Sequence, residues 1–275
     1  MFAGFLLLAA VVVLPETSTA LPLEPRTQPD DSLLVVGEEL EYRVSYSIFT
    51  IGTIRVRVIG VAEQDGRLVY KAQAFIDSAP GLPFVNLHIL FESEFDEDVY
   101  SYRWQSKDSS ASSIAYLSYA FDYANNWVLV EKSSQKLNAP RVVEKVDTVA
   151  ISEKAQDGLS LFFFARKHLH RQGQVNVPTI IGNEVVKTTI AFLHKRTSDE
   201  IDALEDQPID LIEFQGRAHY SGVFGMTGAF SGWFSNDSAR VPIIARMQVI
   251  LGSIYIELVR WNRPGWQPPK AQEEN

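Results

Sequence analysis

Leu40-Glu41-Tyr42-Arg43-Val44-Ser45-Tyr46-Ser47-Ile48 is the stretch that decides the fold class. Apolar or aromatic side chains occupy every even position, and Glu, Arg and Ser fill the odd ones. A period of two puts one set on each face of a half-buried β-strand. The pattern returns at once: Ile54, Val56 and Val58 alternate with Arg55 and Arg57, and Phe49-Thr50-Ile51-Gly52 is the expected turn between the two runs.

Downstream, Gln64-Asp65-Gly66 is a turn signal before a run from Leu68 to Ile76. Further strands are expected at 88–95, 100–105, 116–123, 127–132 and 141–149, then at 175–181, 184–195, 210–219, 229–235, 241–250 and 253–261. The connections are short, which fits antiparallel neighbours, because parallel pairs need crossovers of about a dozen residues or more.

One segment breaks the alternation. Asp157 to Arg171 reads as a helix, with Asp157 capping its first turn and Lys167 and Arg171 near its C-terminus. Leu159, Phe162, Phe163, Arg166 and Leu169 share a face at 100° per residue. Leu161 and Phe164 lie on the other side, so the first half is apolar nearly all round and is expected against a sheet. The fold class is therefore all-β dominated: a strongly curved antiparallel sheet, a barrel or half-barrel, with one central helix.

The 275 residues are 46% apolar and 21% charged, an ordinary globular composition. The net charge of −9, with no long basic run, argues against nucleic acid as a partner. There are no cysteines, which removes disulfides, thiolate metal sites and cysteine nucleophiles. Phe2 to Leu14 is apolar but shorter than the ~20 residues a membrane-spanning helix needs. With Pro15 and then Ser18-Thr19-Ala20 behind it, the segment reads as a signal peptide cleaved after Ala20, although no Lys or Arg precedes it. The competing reading is a buried N-terminal strand or helix. Residues 1–20 are thus the expected signal peptide, 21–36 a proline-bearing extended linker, 37–262 a single β-rich domain, and 263–275 a disordered tail. No membrane span is expected in the mature chain, and its location would be periplasmic or extracellular.

Three stretches together resemble the bacterial family catalogued as domain of unknown function 3108. They are Gly37-Glu38-Glu39-Leu40-Glu41-Tyr42 with Val44, Tyr46 and Gly52; Asp157-Gly158-Leu159-Ser160 with Phe162-Phe163-Phe164 and Arg166; and Trp233-Phe234-Ser235-Asn236-Asp237 with Arg240, Pro242 and the hairpin through Gly252 to Leu258. The resemblance spans Gly37 to Trp261. It implies an exported, β-rich bacterial protein and carries no reaction with it.

The residues offer little chemistry of their own. Of the five histidines, His168 and His170 are two apart, about 200° on a helix, and cannot share an ion. Gly228-Ala229-Phe230-Ser231-Gly232 lacks the spacing of a nucleophile elbow, and no phosphate-cradling loop is present. Glu92, Glu94, Asp96 and Asp98 share a strand face if the strand runs that far. Glycosidases use paired carboxylates, but a solvated, aggregation-resistant face is the simpler reading.

Gly222 to Gly232 holds four glycines among Phe224, Met226 and Phe230, and reads either as the mouth of a ligand cavity or as a bulged strand. Arg166 on an apolar helix face needs a partner, either an anionic group or, structurally, a buried acid such as Asp237 or strand carbonyls. The candidate ligand-binding residues are therefore Arg166, Phe224, Met226, Phe230, Trp233 and Asp237. The expected function is non-enzymatic binding of an apolar small molecule or an envelope protein, with no cofactor and no metal. An envelope hydrolase using Glu92 and Glu94, or a purely structural module, are the alternatives. An apolar cavity of several hundred Å³ would favour ligand carriage.

Overall fold

The computed structural model describes residues 33–64, 66–82, 86–205, 207–221, 226–249 and 252–272. The expected signal peptide, most of the expected linker and Phe224 lie outside these residues.

The strands are β1 (Glu39–Tyr46), β2 (Phe49–Gln64), β3 (Arg67–Ser78), β4 (His88–Asp96), β5 (Ser101–Ser109), β6 (Ser113–Asp122), β7 (Trp127–Lys136) and β8 (Val142–Ala150). The one helix among the described residues, α1 (Ser160–His168), precedes β9 (Gly173–Ile181), β10 (Glu184–Asp199), β11 (Ile209–Ser221), β12 (Met226–Ser235), β13 (Pro242–Val249) and β14 (Gly252–Asn262). All pair antiparallel in one 14-stranded sheet, ordered β8-β7-β6-β5-β4-β3-β2-β1-β14-β13-β12-β11-β10-β9. The sheet is a meander in each half, and the β1–β14 pair joins the halves, with Leu40 opposite Trp261 and Val44 opposite Ile256.

The alternation in β1 does what its sequence dictates: Leu40, Tyr42 and Val44 are buried between half-exposed Glu41, Arg43 and Ser45. The turn that follows is not at Phe49–Gly52. It is the two residues Ser47 and Ile48, with Ser47 at φ 54°, and Phe49 already pairs with Tyr46. Gly52 is needed inside β2 for a different reason, because a Cβ there would stand 2.4 Å from the Asp77 carbonyl oxygen of β3.

The sheet does not close. β8 and β9 are its two edges, and the chain between them crosses the gap carrying α1. Gln156 makes one parallel rung on the β9 edge: its N–H donates to the Pro178 carbonyl at 2.8 Å, and Ile180 N–H donates to its carbonyl at 2.9 Å. The Asn183 amide, in the β9–β10 turn, donates to the Asp147 carboxylate of β8.

Curvature follows from what touches the helix. Phe163 packs on Phe95 of β4, with ring centroids 5.0 Å apart. Phe164 and Leu169 join Ile190 and Phe192 of β10 with Phe214 and Phe234 in a second buried cluster. β4 and β10 stand eight places apart in the sheet, so only a strongly curled sheet can lay both against one helix. The larger cluster, including Leu40, Val58 and Phe163, fills the other side.

The helix is shorter than the 157–171 expected. Asp157 lies outside it, but Oδ1 accepts from Leu159 N–H at 2.7 Å and Ser160 N–H at 2.8 Å, so the orphan donors of the first turn are met as a cap would meet them.

Residues 263–272 are not a loose tail. Trp266 is buried edge-on against Trp261, and its Nε1–H donates to Asp237 Oδ2 at 2.7 Å. Asp210 N–H donates to the Pro269 carbonyl, and Ala271 N–H to the Pro208 carbonyl. An aromatic side chain and the free backbone groups at the start of β11 outweigh three prolines. At the other end, Leu34, expected in the linker, is part of the larger core cluster.

Candidate functional site

The sheet curls without filling its interior. A cavity of about 500 Å³ lies between α1 and the inner face of the sheet. Leu159, just before α1, and the helix residues Leu161, Phe162 and Ala165 form one wall, and side chains such as Val44, Val56, Ala74, Ile190 and Ile256 form the other. Among the described residues, no Asp, Glu, Lys, Arg or His lines it. Of its few polar groups, the Tyr42 hydroxyl donates to the Pro242 carbonyl at 3.1 Å. Trp104 stacks on Tyr119 at 4.6 Å, and its indole N–H is buried without a partner among the described residues.

Two glycines make room for the Phe214 and Phe230 rings that line the far wall. A Cβ on Gly216 would fall 2.1 Å from the Phe230 ring, and one on Gly232 would fall 2.1 Å from the Phe214 ring. Each ring therefore occupies the space over a glycine of the neighbouring strand, and any larger residue there would have to displace it.

The sequence-predicted candidates disperse. Phe230 lines the cavity. Met226 begins β12, but its side chain, like the whole of Phe224, lies outside the described residues. Trp233 packs against the larger cluster with Arg246 5.3 Å over its ring, and does not line the cavity. Asp237 serves a loop: Oδ1 accepts from the Ser235 hydroxyl at 2.8 Å and Arg240 N–H at 2.9 Å, while Oδ2 accepts from Trp266.

Arg166 does not reach the cavity, and its acid is not Asp237. It is fully buried and forms a two-point ion pair with Glu38, Nη1 to Oε1 at 2.6 Å and Nη2 to Oε2 at 3.1 Å. Nε and Nη2 also donate to the carbonyls of Arg240 and Ala239, each at 3.1 Å. Arg263 pairs with the same carboxylate. Burial alone would raise the Glu38 pKa, but the two guanidiniums outweigh it and hold that carboxyl below its ordinary value. The sequence carried a usable signal for this. Glu38 has the parity of Leu40, Tyr42 and Val44, so an acid stands on the inward face at the start of β1.

Sequence reasoning also missed a polar knot beneath the helix start. Asp157 is fully buried and Oδ2 accepts from the hydroxyls of Ser93 at 2.5 Å and Ser101 at 2.8 Å. Burial raises its pKa in spite of these bonds and the two backbone donors on Oδ1.

The carboxylates of β4 do not converge on the cavity. Glu92 accepts from Gln73 at 2.7 Å, and Glu94 pairs with Lys71 at 3.3 Å. They form cross-strand pairs on the face away from the core. β4 ends at Asp96, which is buried and accepts from Tyr100 N–H, while Asp98 sits in the following turn, paired with Lys167. His168 stacks on Phe164 at 4.0 Å, and no cluster of three or more His, Asp or Glu able to hold a metal occurs among the described residues.

No curated protein matches the chain. Among solved structures it is similar to a β-barrel-like protein of domain of unknown function DUF1849 from Brucella abortus, at 10% identity and a TM-score of 0.42, covering 82% of this chain and 96% of that one. It is also similar to a protein with a YmcC-like fold from Bacteroides fragilis, at 8% identity and a TM-score of 0.26, covering 83% and 97%. The family model described as "Protein of unknown function (DUF3108)" matches residues 41–259, from β1 to β14 and across the helix, and the chain belongs to that family.

Proposed function

We propose that this protein is a non-enzymatic binder of an apolar ligand, working in the bacterial cell envelope after loss of residues 1–20. The cavity carries the reading. Its volume of about 500 Å³ falls within the ~300–1,000 Å³ of small-molecule sites, which are mostly apolar. A wall whose described residues include no Asp, Glu, Lys, Arg or His suits a hydrocarbon body, since a buried charge there would have no partner. Envelope location is supported by the apolar run Phe2–Leu14 ending before Ser18-Thr19-Ala20, and the exported protein should begin at Leu21.

The test is titration with N-phenyl-1-naphthylamine, an apolar dye that brightens when it leaves water. Wild type should bind it saturably, and Ala245→Trp should not. Ala245 lines the cavity but belongs to neither buried cluster, so the larger side chain fills space without displacing core packing. Native mass spectrometry of protein taken from its own envelope should show a bound apolar mass. Equal dye binding by wild type and Ala245→Trp, or none by either, would remove the proposal.

A further inference from the structure

The two ends of the sheet differ in character. Following the register from strand to strand, the connections 47–48, 79–87, 110–112, 137–141 and 182–183 fall at one end. Their described residues include one charged side chain, Arg141, and it is occupied by Glu131 at 3.0 Å and by the Tyr116 ring at 4.2 Å. The opposite end is charged: it carries Glu97 and Asp98 between β4 and β5, Glu200, Asp202 and Glu205 between β10 and β11, and also Lys154, Arg171 and Arg240 in its other connections.

Among the described residues, the three most exposed large apolar side chains also stand at the first, nearly uncharged end. Ile48 is 87% exposed and Phe49 66% at the β1–β2 tip. Leu137 is 73% exposed at the β7–β8 tip, with Val142 and Val143 beside it. Leaving such groups in water has no structural return. They belong to neither buried cluster, and a polar residue in the same turn would fold as well.

We propose that this end docks on a lipid surface by inserting the β1–β2 and β7–β8 tips, with the charged end held away. Spacing favours lipid over a protein partner. Four strands separate the two tips in the sheet, about 24 Å along it at ~4.8 Å per strand. A protein interface needs a contiguous, complementary patch, whereas a bilayer accepts separate insertions. Charge narrows the choice further: with a net charge of −9, and with Lys136 as the one exposed lysine beside the Leu137 tip and Arg141 already paired, attachment draws chiefly on apolar burial and not on anionic head groups. The surface required is one of zwitterionic lipid. The proposal does not depend on what the cavity binds.

The full chain is mixed with phosphatidylcholine vesicles and sedimented, at low and at high salt. Co-sedimentation insensitive to salt is expected, with no gain when phosphatidylglycerol is added. The double variant Ile48→Ser/Phe49→Ser should lower vesicle partitioning by about tenfold or more, since burying each such side chain is worth at least that factor. Leu137→Ser should lower it independently. All three side chains are exposed, so urea midpoints should not move, which separates lost docking from lost folding. Ala245→Trp should partition as wild type does, so failure of the cavity reading and failure of this one are distinguishable. Three results would overturn the proposal: no sedimentation of wild type, binding that needs phosphatidylglycerol and vanishes in high salt, or tip variants that sediment like wild type. So would a dimer that these substitutions dissolve while vesicle binding stays absent, because the tips would then serve a second copy of the chain.

Discussion

Arg166 and Glu38, 128 positions apart in the chain, meet as a buried two-point ion pair behind the cavity wall. The pair ties the helix to the chain entering β1, and Arg263 adds the chain leaving β14 to the same carboxylate. The sheet's central seam and its helix therefore share one electrostatic anchor.

Breaking a buried pair by removing one partner costs more than the pair is worth, because a charge is left uncompensated. Arg166→Ala should destabilise the protein by about 3–5 kcal/mol. Arg166→Lys should also destabilise it, since an ammonium cannot reproduce the planar fork or reach both carbonyls as well. Urea unfolding of the three proteins measures this. Midpoint shifts below the equivalent of about 0.5 kcal/mol, the size typical of a neutral surface site, would contradict the anchor.

The two buried carboxylates should pull stability in opposite directions with pH. The folded pKa of Glu38 lies below its ordinary value near 4.5, so its contribution is present above that value and is lost as pH falls through the folded pKa. Asp157 is raised above its ordinary 3.8, so its protonated form favours folding at low pH, and that contribution is lost as pH rises through the folded pKa. Between pH 7 and the acid limb, Asp157 thus offsets part of what Glu38 loses. Glu38→Gln should flatten the acid decline of the urea midpoint, and Asp157→Asn should steepen it. Parallel profiles for all three proteins would show that neither group titrates as its surroundings dictate.

The cavity wall offers a packing test. Gly216→Ala should cost about 1–3 kcal/mol, the usual range for overpacking, because the new methyl meets the Phe230 ring. Phe230→Leu shortens that ring, so the double variant should be less destabilised than the sum of the two single changes. A double-mutant cycle in urea reads the coupling. Strict additivity would mean the ring moves aside freely.

Much of this architecture was legible because a half-buried strand writes its period directly into sequence, and the pattern Leu40, Tyr42, Val44 is unambiguous. The helix was legible for the complementary reason, since Phe162-Phe163-Phe164 cannot alternate. Long-range polar pairing was not. The sequence offers Asp237 or strand carbonyls to Arg166; the inward parity of Glu38 marks it as a buried acid, but sequence does not say which segment folds over which helix turn. Gly52 was read as a turn glycine when it makes room for the Asp77 carbonyl, and only the neighbouring strand shows that. The cavity is the extreme case. An apolar residue facing a void and one facing another side chain have the same sequence signature.

The C-terminal segment tests the least legible part. Three prolines and a polar end suggest a tail, yet Trp266 is buried and linked to Asp237, and Arg263 completes the charge cluster on Glu38. Trp266→Ala removes a large buried ring and the donor on Asp237 Oδ2, and should cost about 3–5 kcal/mol. Truncation after Asn262 should cost more than that, because it also takes Arg263 from the buried carboxylate and Pro269 from the Asp210 N–H. Removing residues 273–275 alone is the control and should leave the urea midpoint unchanged. If truncation after Asn262 matched that control, the segment would be dispensable for stability, and the Glu38 cluster would have to be satisfied by Arg166 alone.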